Sequence, residues 1–261
     1  MKRAAAAWLI FIALFALAGY AGMSARASEM HFQNVLTAPS AAHPFGTDSL
    51  GRDLLSRVAQ GAAVSLGVAA AAVAIALLLG ILIGAVSGYY GAWTDRALMG
   101  FVDVMLCFPT FFLILAVIAI LGPGLFNIMV IIGATSWMGT ARLVRAEVMS
   151  LKEREYILAA RSMGARDGWI LVKHLVPNAM GPVIVNAVLS ISSAILAETG
   201  LSFLGIGVEP PTPSWGNILM EGRAALGVAW WATVIPGVFI FLTVMSANVL
   251  GEELHARRTR S

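Results

Sequence analysis

No charged side chain stands between Arg57 and Asp95. A helix crosses the hydrocarbon core of a bilayer with about 20 apolar residues. The uncharged run at 62–89 is longer than that and rich in Ala, Leu and Gly. Five further runs have the same character: 4–23, 97–121 with Asp103 inside it, 125–141, 181–204 with Glu198 inside it, and 230–251. A soluble fold would need more polar surface than this chain can supply. Its residues are 59% hydrophobic and 12% charged, where soluble domains run at roughly 45–50% and about 25%. The pattern predicts an all-α integral membrane protein with about six transmembrane helices.

Lys and Arg concentrate on the cytoplasmic side of membrane proteins. With the N-terminus inside, only Arg26, Arg52, Arg57 and Arg223 fall outside, so 13 of the 17 basic residues lie in the cytoplasm. Both termini are therefore expected there. This distribution accounts for the net charge of +3 without nucleic acid. The expected organisation is an N-terminal transmembrane helix at 1–23 and an extracytoplasmic segment at 24–60. A core membrane domain follows at 61–251, with a cytoplasmic loop at 142–180, and then a cytoplasmic tail at 252–261. Ala25-Arg26-Ala27 has the form of a signal-peptidase site. The apolar run before it is longer than the roughly 7–15 residues of a signal core, so the first helix is read as retained.

Little in the sequence points to catalysis. No G-x-x-x-x-G-K-[ST] phosphate loop is present, so any ATP must be hydrolysed on another chain. H-E-x-x-H and G-x-S-x-G are also absent. His31, His43, His174 and His255 are too scattered to form a metal site by spacing. Cys107, the single cysteine, is read as a small buried hydrophobe.

The loop at 142–180 is charged yet periodic. Tyr156, Ala159, Ala160 and Met163 fall at helical spacing on one narrow apolar face, while Glu153, Arg154 and Arg161 lie off it. Gly164 stands where a helix would end in a left-handed cap. Residues 166–176 are expected to form a second short helix stopped by Pro177. Such a knob suits either a groove on a soluble partner or the lipid headgroups.

This segment resembles the EAA loop of permease subunits in binding-protein-dependent ABC importers, whose pattern is roughly E-A-A-x3-G-x9-I-x-L-P. Ala159, Ala160, Gly164 and Pro177 match; Leu158, His174 and Val176 replace its Glu, Ile and Leu. Three more segments resemble the dipeptide, oligopeptide and nickel branch of that family, in the family's order. The first is FGTDSLGRDLLSR, with Gly46, Thr47, Asp48, Gly51, Arg52 and Asp53. There Thr47-Asp48 reads as a helix N-cap, and Arg52, Asp53 and Arg57 as a set that pairs across a turn. The second is Asp95-Arg96 followed by DVMLCFP from Asp103. The third is the Gly- and Pro-rich run at 198–215. The outer loop before Phe45 is short for the branch, and the tail lacks an acidic finish.

The resemblance implies a type I ABC importer permease in a bacterial inner membrane. Its implied partners are a second homologous permease, two ATP-binding-cassette subunits that bind ATP and magnesium, and an extracytoplasmic solute-binding protein. No cofactor is expected in this chain. Glu155, Tyr156, Ala159, Ala160, Arg161, Met163, Gly164, Ala165 and Arg166 are implied to couple to the ATPase. Asp103, Glu198, Ser202 and Gly205 are candidates for the translocation path and its outer gate. Asp103 has Arg96 or Arg142 as a candidate ion-pair partner. Short peptides are the expected substrate, with nickel or another chelated metal as the alternative. A stand-alone channel or secondary carrier is the lesser alternative; a carrier would need its own ion-coupling residues, and within the spans Asp103 and Glu198 are the candidates.

Overall fold

The computed structural model describes residues 2–23 and 27–258. Ala25 and Arg26 of the signal-peptidase-like site, and Arg260 of the tail, lie outside them. Among the described residues the fold is all helical, with one isolated bridge between Thr47 and Asp53. The helices are α1 (Lys2–Gly22), α2 (Leu54–Tyr90), α3 (Ala92–Leu106), α4 (Thr110–Leu121), α5 (Leu125–Ala134) and α6 (Met138–Leu151). They continue with α7 (Glu155–Ser162), α8 (Asp167–Ile170), α9 (Val176–Phe203), α10 (Trp215–Gly222) and α11 (Trp231–Arg258).

Helix α2 organises the bundle. Its N-cap is Asp53, whose carboxylate accepts from Ser56 N at 3.0 Å and Ser56 Oγ at 2.8 Å. Thr47-Asp48, the expected cap, lies in the preceding turn instead. At 37 residues and 1.5 Å per residue, α2 is roughly 55 Å long, well beyond a bilayer core. Near its far end, glycines four residues apart let α6 approach closely. A Cβ on Gly84 would stand 2.3 Å from the carbonyl oxygen of Ala141, and Gly80 and Gly88 flank it on the same stripe. Small residues at that spacing are how helices pack in lipid, where no hydrophobic force draws them together.

The expected span at 97–121 is not one helix. Pro109 breaks it, and α3 and α4 meet at an angle of 88°. Proline supplies no N–H and forces the residue before it out of helical geometry. Cys107 sits at this break and is exposed, so its expected burial does not hold. The expected span at 125–141 is also interrupted. Its apolar helix α5 has ten residues, roughly 15 Å, and stops at Thr135. Among the described residues, four helices are long and apolar enough to cross alone, and five if α3 and α4 count as one span.

Pro177 does not stop a helix. A π-turn at Leu171–Leu175 precedes it, with Val176 N–H bonding to Leu171 O, and the chain runs on as α9. The wider turn removes the need for the bond proline cannot make.

Helix α1 runs antiparallel to α11: Lys2 pairs with Glu253, and Trp8 Nε1 donates to Thr243 Oγ1 at 3.1 Å. Gly19, at the other end of α1, packs on the backbone of Ala59 near the start of α2. The N-terminal end, the C-terminal end of α2 and α7 thus share one end of the bundle. Residues 27–53 and 204–230 lie at the other. Ile12, Leu54, Val58, Ile128, Ile195 and Trp215 belong to the core between them.

Candidate functional site

At the end formed by residues 27–53, the turn in FGTDSLGRDLLSR closes on itself. Gly51 (φ +73) is forced: a Cβ there would lie 2.0 Å from the carbonyl oxygen of His31. Gly46 (φ +76) lies against the Trp231 indole, whose Nε1 donates to Thr47 O at 3.1 Å. Thr47 is buried and accepts from Thr37 N at 2.8 Å. The turn brings Asp48, not Asp53, to the arginines. Asp48 Oδ2 accepts from Arg52 Nε at 2.7 Å and Arg57 Nη1 at 2.5 Å, and its Oδ1 accepts from the N–H of Leu50 and Arg52.

Glu221 of α10 completes the group. It accepts from Arg52 Nη2 at 2.6 Å and from Arg57 Nη1 at 2.5 Å. Buried Asp48, Arg52 and Arg57 thus meet the half-buried Glu221 in a group of two carboxylates and two guanidiniums with no net charge. Burial alone would raise the Asp48 pKa. The Arg57 and Arg52 guanidiniums and the two backbone N–H groups outweigh it and hold the carboxyl below its ordinary value. Asp53 was expected in this set; it caps α2 and meets His43 Nδ1 at 3.1 Å instead.

The broken segment after α9 is held by a second buried cluster. Glu198 is fully buried. It accepts from Ser65 Oγ of α2 at 2.8 Å and from Ser202 Oγ at 2.7 Å. Those hydroxyls in turn accept from Trp215 N and Val208 N. Asn217 side chain and backbone exchange bonds with Ser214, a capping box that starts α10. Gly205 (φ +80) makes the turn that ends α9. Glu198 and Ser202 therefore face protein, not an open path, in this structure. Asp103 is exposed and pairs with Arg142 Nη2 at 2.5 Å, one of its two expected partners.

At the opposite end, α7 begins at Glu155 and closes in a Schellman motif. Ala165 N–H reaches Ala160 O, Gly164 N–H reaches Arg161 O, and Gly164 has φ +83. The expected apolar stripe divides between two faces. Ala160 is buried beside Ile157 against the chain's own core. Tyr156, Ala159 and Met163 are exposed, Met163 at 82%, and Leu158 is exposed with them. Arg161 Nη2 donates to Tyr89 OH at 3.3 Å, and Tyr89 OH donates to Asp167 at 2.5 Å. Ala165 is half-buried and Arg166, at the N-cap of α8, is exposed. His174, at the family's Ile position, packs against Trp169 and Tyr156 behind the knob. Arg145 binds Asp95 through Nε and Nη2, at 2.5 and 2.6 Å, and fixes α6 to the start of α3.

Between these ends, a cavity of ≈ 400 Å³ opens among α2, α4, α5 and α9, lined in part by Thr110, Ser136, Ser190 and Ser193. Sequence reasoning missed this cavity and Glu221. Ser190, Ser193 and Ala197 do recur at helical spacing, a signal that was available. No local signal pointed to Glu221.

A family model described as binding-protein-dependent transport system inner membrane component matches residues 76–260. The dipeptide transport system permease protein of Alkalihalophilus pseudofirmus is 41% identical over 87% of this chain and 75% of its own length. The oligopeptide transport system permease protein of Bacillus subtilis is 37% identical over 97% and 84%. The glutathione transport system permease protein of Pectobacterium atrosepticum is 41% identical over 83% and 72%. Among solved structures, an inward-facing form of the MetNI methionine ABC transporter matches with TM-score 0.57 and 18% identity, over 76% of this chain and 96% of that one. At that identity the likeness is one of fold.

Proposed function

Because the chain belongs to the binding-protein-dependent transport system inner membrane components, we propose that it forms half of a translocation path for short peptides and is driven by ATPase subunits seated on α7. Membership makes it an integral membrane permease and a transport subunit, not an enzyme. The supporting observation for the coupling role is the exposed knob of Tyr156, Leu158, Ala159 and Met163, left uncovered at one end of the bundle. Large exposed apolar groups on a charged base mark a surface that a partner covers.

The proposed assembly has a second similar permease, two ATP-binding-cassette subunits that bind ATP and magnesium, and an external solute-binding protein. Both chain ends and α7 are assigned to the cytoplasm, in keeping with 13 of 17 basic residues on that side. Peptides are chosen because the relatives above are named for dipeptides, oligopeptides and glutathione; none of these three is named for nickel, and that alternative is not retained.

In the proposed cycle, closure of the ATPase dimer moves α7. Motion passes to α2 through Tyr89 and Asp167, and the Arg145–Asp95 pair carries α3 with α6. The Glu198 cluster holds the segment after α9 as an outer gate, with Ser202 and Gly205 fixing its turn.

The test is uptake of labelled dipeptide by proteoliposomes holding the four-part complex and its binding protein. Uptake that needs both ATP and binding protein, and that Met163→Asp abolishes along with substrate-stimulated ATPase, is the expected result. Uptake without ATP, or normal stimulation in the variant, would sink the proposal.

A further inference from the structure

We infer that the cavity beside α9 is a wet transit site, which holds a short peptide by hydrogen bonds from uncharged hydroxyls. This inference rests on the transport reading above and names where the substrate sits in this chain.

The cavity of ≈ 400 Å³ falls within the range of about 300–1,000 Å³ typical of small-molecule clefts. Ser190 and Ser193 lie well inside α9, at least roughly 15 Å along the helix from either end. At that depth a hydroxyl facing lipid can bond only to its own helix, so a hydroxyl that makes no such bond turns toward protein or water. Ser190 Oγ donates to Asn186 O at 2.8 Å, inside its own helix. The hydroxyls of Thr110, Ser136 and Ser193 have no hydrogen-bond partner among the described residues, and all three open into this one cavity. Three unmatched hydroxyls from three segments, converging on one space large enough for several waters, describe a hydrated chamber.

No charged side chain lines the cavity. A hydroxyl both donates and accepts. It can therefore meet a peptide's ammonium end, its carboxylate end or its amide, and holds none of them as a fixed counter-charge would. Conduction needs contacts good enough to enter and weak enough to leave. The chamber should therefore pass acidic, basic and neutral dipeptides alike, and reject by size. The competing occupant is a helix of the second permease, packed on the same small residues.

The experiment uses the whole importer in proteoliposomes, with Cys107, the only cysteine, replaced by serine. Single cysteines are introduced as Ser136→Cys, Ser193→Cys and Ile184→Cys. Ile184 is exposed and lies nine residues before Ser193, on the opposite face of α9. A charged, water-soluble methanethiosulfonate should label positions 136 and 193 at least tenfold faster than 184, and transported dipeptide should slow both several-fold. Labelling no faster than at 184, or cross-linking of 193 to the second permease in its place, would overturn the inference. In a second arm, Ser136→Leu with Ser193→Leu should cut uptake of acidic, basic and neutral dipeptides about tenfold alike, with assembly checked by co-purification of the ATPase subunits. Undiminished uptake, or loss confined to one charge class, also overturns it. Failure of the unmodified complex to take up any dipeptide would count against the transport reading instead.

Discussion

The two ends of the bundle both carry charge and use it in opposite ways. At one end Asp48, Arg52 and Arg57 are buried, and with the half-buried Glu221 they are satisfied within the chain. At the other, Arg154, Glu155 and Arg166 are exposed around an uncovered knob of Tyr156, Leu158 and Met163. A buried charge group with every member paired holds one geometry, because any rearrangement strands a charge away from water. The eight-residue helix α7 seats Ile157 and Ala160 on the core and leaves Tyr156, Leu158 and Met163 uncovered. The first end satisfies its charges within the chain, and the second, on the coupling proposal, is covered by another protein.

Removing one member of the buried group is the largest perturbation of that contrast. Glu221→Ala leaves Arg52 and Arg57 sharing Asp48 alone. Breaking a fully buried pair costs about 3–5 kcal/mol, an upper bound here because Glu221 is half-buried and Asp48 still binds both arginines. The purified permease in detergent should melt far lower or fail to accumulate, while Glu155→Ala, exposed at the other end, should leave Tm nearly unchanged. Equal melting temperatures for the two variants would show that the ends do not differ.

Two substitutions on α7 sharpen the same contrast within one helix. Met163→Asp puts a charge on the exposed face. If the knob fills a partner's groove, the loss should be that of a binding hot spot, about 2 kcal/mol or more and so roughly 30-fold in ATPase affinity, with Tm unchanged. Ala160→Asp places the charge against Ile157 in the chain's own core. It should lower Tm as well, because an unpaired charge is forced into apolar surroundings. Affinity for the ATPase subunits and Tm, measured on both variants, separate docking from folding.

The same distinction explains what the sequence did and did not disclose. Uncharged runs such as 62–89 announce membrane helices because lipid tolerates nothing else. The break at Pro109 was hidden because apolar residues flank it on both sides, and proline bends a helix of any hydropathy. Pro177 misled in the other direction: only the backbone reveals the π-turn that lets the helix continue. Ala160 belonged to a readable apolar stripe, but periodicity does not say which half of a stripe its own chain covers. Asp53 was expected with the arginines and Asp48 at the cap; the two exchange roles, although each lies four residues before an arginine. Glu221, 164 residues from Arg57, joins the group from a distance that no local pattern could bridge. The Schellman cap at Gly164, by contrast, was legible because it is a local matter of one φ angle.

Acid titration tests the buried group more gently. Asp48 titrates below its ordinary value of 3.8 in the folded chain. A carboxyl with a depressed folded pKa contributes stability above its unfolded pKa of about 3.9, and loses it as pH falls through the lower folded value. Stability from this group should therefore be constant from pH 7 to about 5 and fall below about 4. Other carboxyls titrate in the same window, so the measured quantity is the difference in Tm between the unmodified chain and Asp48→Asn. That gap should shrink as the pH falls below 4. A gap that widens with acid would mean that Asp48 is bound as the neutral acid.

The smallest effect is expected where the two kinds of end meet. Tyr89 stands at the last turn of the rigid helix α2, and its hydroxyl binds Asp167 and Arg161, which flank the turn at Gly164. Tyr89→Phe keeps the ring and its packing and removes only these bonds, a loss of about 1 kcal/mol. Such a loss is too small to unfold the bundle, and Ile157 still seats α7 on the core, so the effect is a more frequent local opening of α7. Hydrogen exchange should rise about fivefold at the amides of α7 and stay unchanged along α2, since exchange reports the local opening energy and not the global one. If exchange rises along both helices, α7 is part of the rigid bundle and the contrast between the two ends fails. A rise confined to α7 locates, at a single hydroxyl, the boundary between the self-supporting part of the permease and the helix proposed to dock the ATPase.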